Sequence, residues 1–581
     1  MKKRYLLFIL ILSACLMVQA ETRTKIEVPL RFDRYYNYEE VVEALKALHA
    51  AYPKLTRLDL VGHSEENREI YALTINNPET GNELSKPGVY VDGNIHGNEI
   101  QAGEVCLYYA NLLLTKYGEN EKITKAVDKN AHYILPVVNV DGRARFFRDA
   151  NTSSSSRSFR IPYDDDHDGL LDEDAPDDLD GDGNICQMRI RDPLGNYKTD
   201  PEDSLLMIPV KPGEKGEWTI LGEEGIDNDN DGKYNEDSEG YFDANRNWGY
   251  NWQPNYVQSG AGNFPLSAKG VKAIAEYVHQ RPNIIVNFAF HNSGGMWLRP
   301  PATKDERIDP RDLESYDLIG KNALKITPGY VYQSSIDLYA TYGDTDSHMY
   351  NIEGSFSFVG ELFQREQETY RESRENKVTN SGDVFAGMRG GNPEVNREQM
   401  NFNRHLGLNE LYHSWKPFQH PVYGDIEIGG WVKMSSRLPH PFMLPELAHR
   451  NAMVVLYASE QTPEIKMEIM EVKKAGKNLT QVRIRLQNEK GLPSMSANAV
   501  NLKIYPQDML KITGVKVIAS GKVTDIRNNR VDYQEYRPEV IYTSVPGYSH
   551  SEYQFLVEGK GEMKISYLSR KAKDLEQTVK L

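Results

Sequence analysis

The 581-residue chain predicts an α/β fold with a mixed, mainly parallel central sheet flanked by helices, followed by an all-β sandwich. Three observations predict it. Apolar strand-like runs alternate with amphipathic helical stretches between about residues 38 and 362, as in a parallel sheet covered on both faces. Polar residues collect where those runs end, and such sheets bind ligands at the carboxyl ends of their strands. Beyond about residue 425 the chain changes to short alternating strands with Gly, Asn and Asp turns, and a boundary near Pro463 leaves a sandwich of ordinary domain size.

The first element is a leader. "MKKRYLLFILILSACLMVQAETRT" has a basic start, an apolar run from Leu6 to Val18 and a small residue before Glu21, the pattern of a signal peptide over residues 1–20. The chain is therefore expected to be secreted or periplasmic. A competing pattern, the Leu-Ser-Ala-Cys of a bacterial lipoprotein box, would anchor it at Cys15; the apolar residues after Cys15 favour cleavage after Ala20. The run is short for a membrane span, and no later segment reads as one. "YEEVVEALKALHAAY" is a helix by the spacing of Val41, Val42, Leu45 and Leu48, with Asn37 as its cap. "TRLDLVG", "EIYALTI" and "GVYVDG" are strands. A helix follows Glu99. "AHYILPVVNVDG" is a strand that breaks at Asn139–Gly142. "SAKGVKAIAEYV" is a helix, and "NIIVNFAFH" and "GSFSFVGELF" are strands.

Composition excludes several classes. A net charge of −16 argues against a nucleic-acid partner, which wants a basic face. After the leader only Cys106 and Cys186 remain, too few for a disulfide scaffold or a thiolate zinc cluster; whether they pair is open.

Four polar points fall at strand ends: His96 with Glu99, Asn139–Gly142, His291 and Glu361. A second His-x-x-Glu, His63 with Glu66, sits in a polar turn and lacks that placement. Two histidines and a glutamate are one ligand set of catalytic zinc, which keeps a fourth position for water. His96 and Glu99 supply the local pair and His291 the third ligand. Glu361 is the carboxylate available as general base.

"DGNIHGNE", "LPVVNVDG", "DANRNW", "FAFH", "LYATYGDTDSHMY" and "VGELF" occur in the order found in the M14 family of zinc carboxypeptidases, which the chain resembles over about residues 35 to 425. The resemblance implies a carboxypeptidase-like catalytic domain over 21–462, with zinc on His96, Glu99 and His291 and Glu361 as base. It matches Asn245 and Arg246 to the pair that grips the substrate's terminal carboxylate, a target that suits a planar arginine fork. Tyr339 matches the mobile tyrosine, with Tyr342 close by. The family's oxyanion arginine is expected at Arg189, with Arg191 as rival. The family's spacing from Tyr339 to Tyr350 places Asp346 at the pocket floor, which would favour a terminal Lys or Arg; a structural Asp in a turn is the plainer alternative. The chain departs from the family at Asn98, where many members have arginine, and at Ser293, where digestive members have tyrosine. "HGNE" followed by Glu104 looks more like the carboxypeptidase-E-like branch.

An acidic insertion spans about 150–240. Asp164, Asp166, Asp168 with Gly169, Asp178, Asp180, Asp182 with Gly183, and Asp227, Asp229, Asp231 with Gly232 each follow D-x-D-x-D-G, the alternation of oxygens and the sharp turn that calcium loops use. Asp172 and Asn235 fall at the ninth position of the first and third. No loop has the glutamate of a standard EF-hand. Structural calcium is expected, against the alternative of a solvated acidic loop.

The expected function is a secreted zinc metallocarboxypeptidase acting at peptide or protein C-termini. The alternatives are a zinc peptidase for γ-D-glutamyl bonds of cell-wall peptides and a non-catalytic calcium-dependent binding protein. The partner of the β domain, a glycan or a protein in either case, is not legible.

Overall fold

A computed structural model describes residues 28–164, 169–237, 240, 242–363, 393–435 and 437–581. The leader with Cys15, and the calcium candidates Asp166 and Asp168, lie outside the described residues. The main sheet has eight strands in the order Thr56–His63, Glu69–Ile75, Ala131–Leu135, Gly88–Gly93, Ile284–Asn292, Phe356–Leu362, Met296–Arg299, Val331–Ser334. Its centre is parallel: Gly88–Gly93 runs with both neighbours, and Phe356–Leu362 runs with Ile284–Asn292. The first three strands in this order, and the Met296–Arg299 junction with Phe356–Leu362, are antiparallel. The sheet is thus mixed, with parallel pairing concentrated where both faces are covered. The strand Ile284–Asn292 is buried along its whole length, which explains its unbroken apolar run.

The helices follow their sequence signals. Asn37 caps Tyr38–Ala51 in a capping box with Glu40, worth about 1 kcal/mol. The run ending "LPVVNVDG" leaves the sheet at Leu135, and Asn139 then caps a helix over Val140–Arg148 by accepting from Gly142 N–H.

Two features depart from the sequence expectation. The insertion forms a six-stranded sheet, in which Gln187–Arg191 pairs with Trp218–Glu223 on one side and with Gly424–Trp431 on the other. The strands around residue 425 therefore belong with the insertion, and the helix Leu444–Glu460 follows them, its buried residues part of the same core as the main sheet. From Ile465 onward, five- and four-stranded antiparallel sheets enclose a separate core that includes Val482, Ile484, Phe555, Leu510, Ile512 and Ile565. This β region is fastened to the α/β part. Asp312 accepts from the N–H groups of Ala497 and Asn498 at 2.7 and 2.9 Å. Lys571 Nζ donates to the carbonyls of Ile284 and, at 2.9 Å, Glu353.

Candidate metal centre and substrate cleft

The loop Asn94–Glu99 follows the central strand Gly88–Gly93, and it is held from beneath. Asn94, at φ 59°, donates to the carbonyls of His96 and Gly97. Arg143 donates to Asn94 Oδ1, the Ile100 and Tyr36 carbonyls, and Glu104, with which it forms an ion pair lacking any solvent exposure. Removing Glu104 would leave the arginine buried and unpaired, at a cost of about 3–5 kcal/mol. Gly97 packs so closely that a Cβ there would collide with Ser156 O and Gly142 Cα. That contact draws the segment carrying Arg157 against the loop, where Gly97 N–H donates to Arg157 O at 3.0 Å.

The three expected ligands converge. His96 Nδ1 lies 2.9 Å from Glu99 Oε1, His291 Nδ1 lies 3.1 Å from Glu99 Oε2, and the two Nδ1 atoms are 3.3 Å apart. All three residues are buried. Burial opposes ionisation of Glu99, yet His96 and His291 hold its carboxyl well below the usual range. His96 Nε2 meets Asp243 Oδ1 at 3.1 Å, the carboxylate–histidine arrangement that orients a metal-bound imidazole. Burial pushes Asp243 up, and His96, Arg157 and Arg246 outweigh it and hold it well below the carboxylate range. Two imidazole nitrogens and a carboxylate facing one point, one of them braced from behind, fit zinc. Glu361 stands beside them: its Cα pairs with that of His291 across parallel strands, and paired residues face the same side of a sheet. Burial pushes its carboxyl up to about 7, an effect Glu99 adds to and His291, Arg157 and Arg437 oppose.

The arginine expected beside the centre is a different one. Arg189 is committed elsewhere: its Nη2 pairs with Glu427 at 2.5 Å, and its guanidinium lies 3.8 and 4.1 Å from the ring centres of Trp218 and Trp415. Its rival Arg191 lies on the same strand and stacks on Trp218 at 4.6 Å. Arg157 takes the place instead. Its Nη2 lies 2.9 Å from His96 Nε2 and 3.1 Å from Asp243 Oδ2, and its Nη1 lies 3.4 Å from Glu99 Oε1. Sequence reasoning also missed Arg437, with Nη1 3.7 Å from Glu99 Oε1. Asp243 was in plain view in "DANRNW", two residues before Asn245. Arg157 stands near the start of the stretch read as the insertion, ahead of its acidic runs, and an ordering that set those runs aside would have found it. Arg437 follows a hairpin that pairs with the insertion sheet, and no local pattern marks it.

The substrate-side residues gather around Arg246. Its Nη1 donates to Asn245 O at 2.7 Å and its Nη2 to Tyr339 Oη at 3.3 Å. Tyr339 is exposed. Asn245 Oδ1 accepts from the N–H and hydroxyl of Thr345, each at 2.9 Å, so its amide nitrogen is turned away from that anchor. Asp346 is 3% exposed and accepts from Ser335 Oγ at 2.7 Å. Burial, with Asp344 and Glu306 beside it, pushes its carboxyl well above the usual range. His63 and Glu66 take no part in the centre; Glu66 pairs with Arg68 and Arg145.

In the insertion, Asp178 accepts from the N–H groups of Asp182 and Gly183, and Asp227 from those of Asn230 and Gly232. Oxygens of Asp227, Asp229 and Asp231 lie within 4.8 Å of one another, as do those of Asp178, Asp180 and Glu224. Asp182 groups instead with Cys186 and His413. Asp164 accepts from Gly169 N–H and Asp172 from Tyr163 N–H. Asn235 donates its amide N–H to Glu223 O, and its Oδ1 is buried without a hydrogen-bond partner. Cys106 and Cys186 are both free and buried.

An α/β domain with a buried His-Glu-His set at the ends of parallel strands has the form of a zinc-site protein. The family model described as zinc carboxypeptidase matches residues 41–165 and 222–379, and the chain carries a domain of that family. Arg189 falls in the stretch that the model skips. A second model, described as a domain of unknown function (DUF8731), matches residues 464–580. Among similar proteins, human "Carboxypeptidase D" is 34% identical over 123 residues, 21% of this chain and 9% of that protein. The rat "Carboxypeptidase N catalytic chain" is 31% identical over 120 residues, 20% of this chain and 26% of that one. The chain thus spans a tenth or less of the first and about a quarter of the second. Among solved structures, carboxypeptidase A from Helicoverpa armigera aligns at 19% identity over 70% of this chain and 81% of its own, with a TM-score of 0.39. No helix among the described residues is long and apolar enough to cross a membrane.

Proposed function

We propose that the protein is a secreted zinc metallocarboxypeptidase that hydrolyses the C-terminal peptide bond of peptides or proteins. The observation that carries this is the convergence of His96, Glu99 and His291 with Glu361 registered beside His291. His96, Glu99 and His291 would hold a zinc ion, which would supply Lewis-acid chemistry that makes water a stronger nucleophile and the scissile carbonyl a better electrophile. The chain's own groups do the rest. Glu361 takes the proton from the attacking water and returns it to the leaving amine. Arg157 stabilises the negative charge that develops on the carbonyl oxygen. Arg246 and Asn245 hold the substrate's free carboxylate, and Tyr339, already hydrogen-bonded to Arg246, closes over it. Asp346 favours a terminal Lys or Arg.

The helix end at Glu460 and the separate β core support domain limits of 21–462 and 463–581, and the β region serves folding or docking. Calcium orders the acidic insertion, and residues 1–20 direct export. The first test is a substrate panel: peptides ending in Lys, Arg, Phe, Leu or Glu, each as free acid and as amide, beside muropeptides. Release from free acids alone, fastest for Lys and Arg, is expected. Release only from muropeptides would make γ-D-glutamyl bonds the substrate, and no release from either would contradict the enzyme reading.

A further inference from the structure

Away from the zinc centre, the fold joins carboxylates that no sequence motif connects. Asp174 lies in the first acidic segment, and Asp229 and Glu236 lie in the second. One carboxylate oxygen of each lies within 4.8 Å of the other two. Asp174 is 1% exposed. Its Oδ1 accepts from Asn228 N–H at 3.3 Å and from Asn228 Nδ2 at 3.1 Å. Its Oδ2 is buried and has no hydrogen-bond partner, and Glu236 Oε2 is in the same condition. A buried acceptor without a donor costs roughly 1–3 kcal/mol, and more when charged. Among the described residues no lysine or arginine pairs with any of the three. The surrounding hydrogen bonds fix this arrangement: Asp237 N–H donates to Asp174 O at 3.3 Å, and Glu173 N–H to Asp237 Oδ2 at 2.8 Å.

We propose that Asp174, Asp229 and Glu236 are protein ligands of one calcium ion that ties the two acidic segments together. The inference rests on the calcium reading of the insertion and names the residues that close it. The donors are all oxygen, which suits a hard cation such as calcium rather than a metal that seeks thiolate or imidazole. Three oxygens within 4.8 Å of one another are close enough to converge, with a small adjustment, on one ion at the calcium–oxygen distance of about 2.3–2.6 Å, with water completing the shell. The site also has a consequence for the cleft. Arg157 and Asp243 flank the acidic arms of the insertion, with Phe159 N–H donating to Phe242 O at 2.8 Å across their base. An ion joining its two arms therefore steadies both strands of chain that enter the cleft.

The test uses the full protein with zinc retained, dialysed against EGTA and then titrated calorimetrically with calcium. In parallel, trypsin cleavage after Lys233, in the second segment, is followed by mass spectrometry. Calcium should slow that cleavage in the wild type about tenfold. Asp174→Asn, distant in sequence, should weaken one calcium site about tenfold and abolish the protection. Glu236→Gln should do the same, and it decides the matter if Asp174→Asn loses its circular dichroism or zinc. Wild-type titration and protection in both variants would overturn the proposal, as would a wild type whose Lys233 cleavage ignores millimolar calcium. Because no substrate enters the test, a protein that binds calcium here yet releases no C-terminal residue would contradict only the peptidase reading.

Discussion

The zinc centre and the acidic insertion both gather ligands, but they are built in opposite ways. His96, Glu99 and His291 hang from strand ends of a buried sheet, and a salt-bridged shell of Arg143, Glu104, Asp243 and Arg157 braces them. Asp174, Asp229 and Glu236 hang from long loops, one ahead of the strand Gln187–Arg191 and one after the strand Trp218–Glu223, and two of them keep buried oxygens without donors. The first set is preorganised by the fold, and the second leaves its charge for an ion to satisfy. Loss of zinc should therefore cost chemistry with little change in fold, whereas loss of calcium should cost local order with little direct change in chemistry.

The largest effect expected is at the braced centre. His291→Ala should drop zinc from one per chain to near zero and reduce kcat/KM at least about 10³-fold, with the melting temperature nearly unchanged; a zinc-loaded, active variant would break the comparison. Next, Arg157→Ala should lower kcat about 10²–10³-fold with zinc retained, the usual range for losing one oxyanion donor. Arg189→Ala should leave kcat/KM within about twofold and lower thermal stability, because it removes a cation held between two tryptophans. The reverse outcome would restore Arg189 to the site. A pH profile gives the third. Glu361 sits at about 7 because of burial, and its ionised form is the base, so kcat/KM should fall with decreasing pH on a limb near 7, about tenfold per unit below it. Glu361→Gln should erase the limb along with the rate.

The smallest effect lies between the domains. Burial lowers Lys571 to about 7, against about 10.4 in an unfolded chain. Between those values the unfolded chain binds more protons, so stability should rise with pH from about 7 to about 10, by at most about 1.4 kcal/mol per unit. Lys571→Met should flatten that slope in thermal melts.

Much of this was legible in the sequence. His96 and Glu99 stood out because a strand end in a parallel sheet has no packing use for them, and the buried runs around His291 and Glu361 marked the strands that place them. Asn37 announced its helix by capping chemistry, whereas the stretch at Asn139 reads in sequence only as the end of a strand and in the structure caps the helix Val140–Arg148. What failed was anything set by pairing across long stretches of chain. Arg189 looked suitable by interval, yet its strand pairs with Gly424–Trp431, and that neighbour supplies Glu427. Arg437 reaches Glu99 by the same sheet. The D-x-D-x-D-G loops were visible, but Asp174 and Glu236 follow no repeat and meet only in three dimensions. Asn235, chosen by loop position, spends its amide N–H on the Glu223 carbonyl and keeps a buried Oδ1 without a hydrogen bond.

The most direct measurement is zinc-dependent release of the terminal residue from a free-acid peptide ending in Lys, by wild type and Glu361→Gln side by side, with zinc content determined for both. The account predicts one zinc per chain in each, release by the wild type, and a loss of about 10²–10⁴-fold in the variant. Equal release by the two proteins, or no release by a fully zinc-loaded wild type, would contradict it.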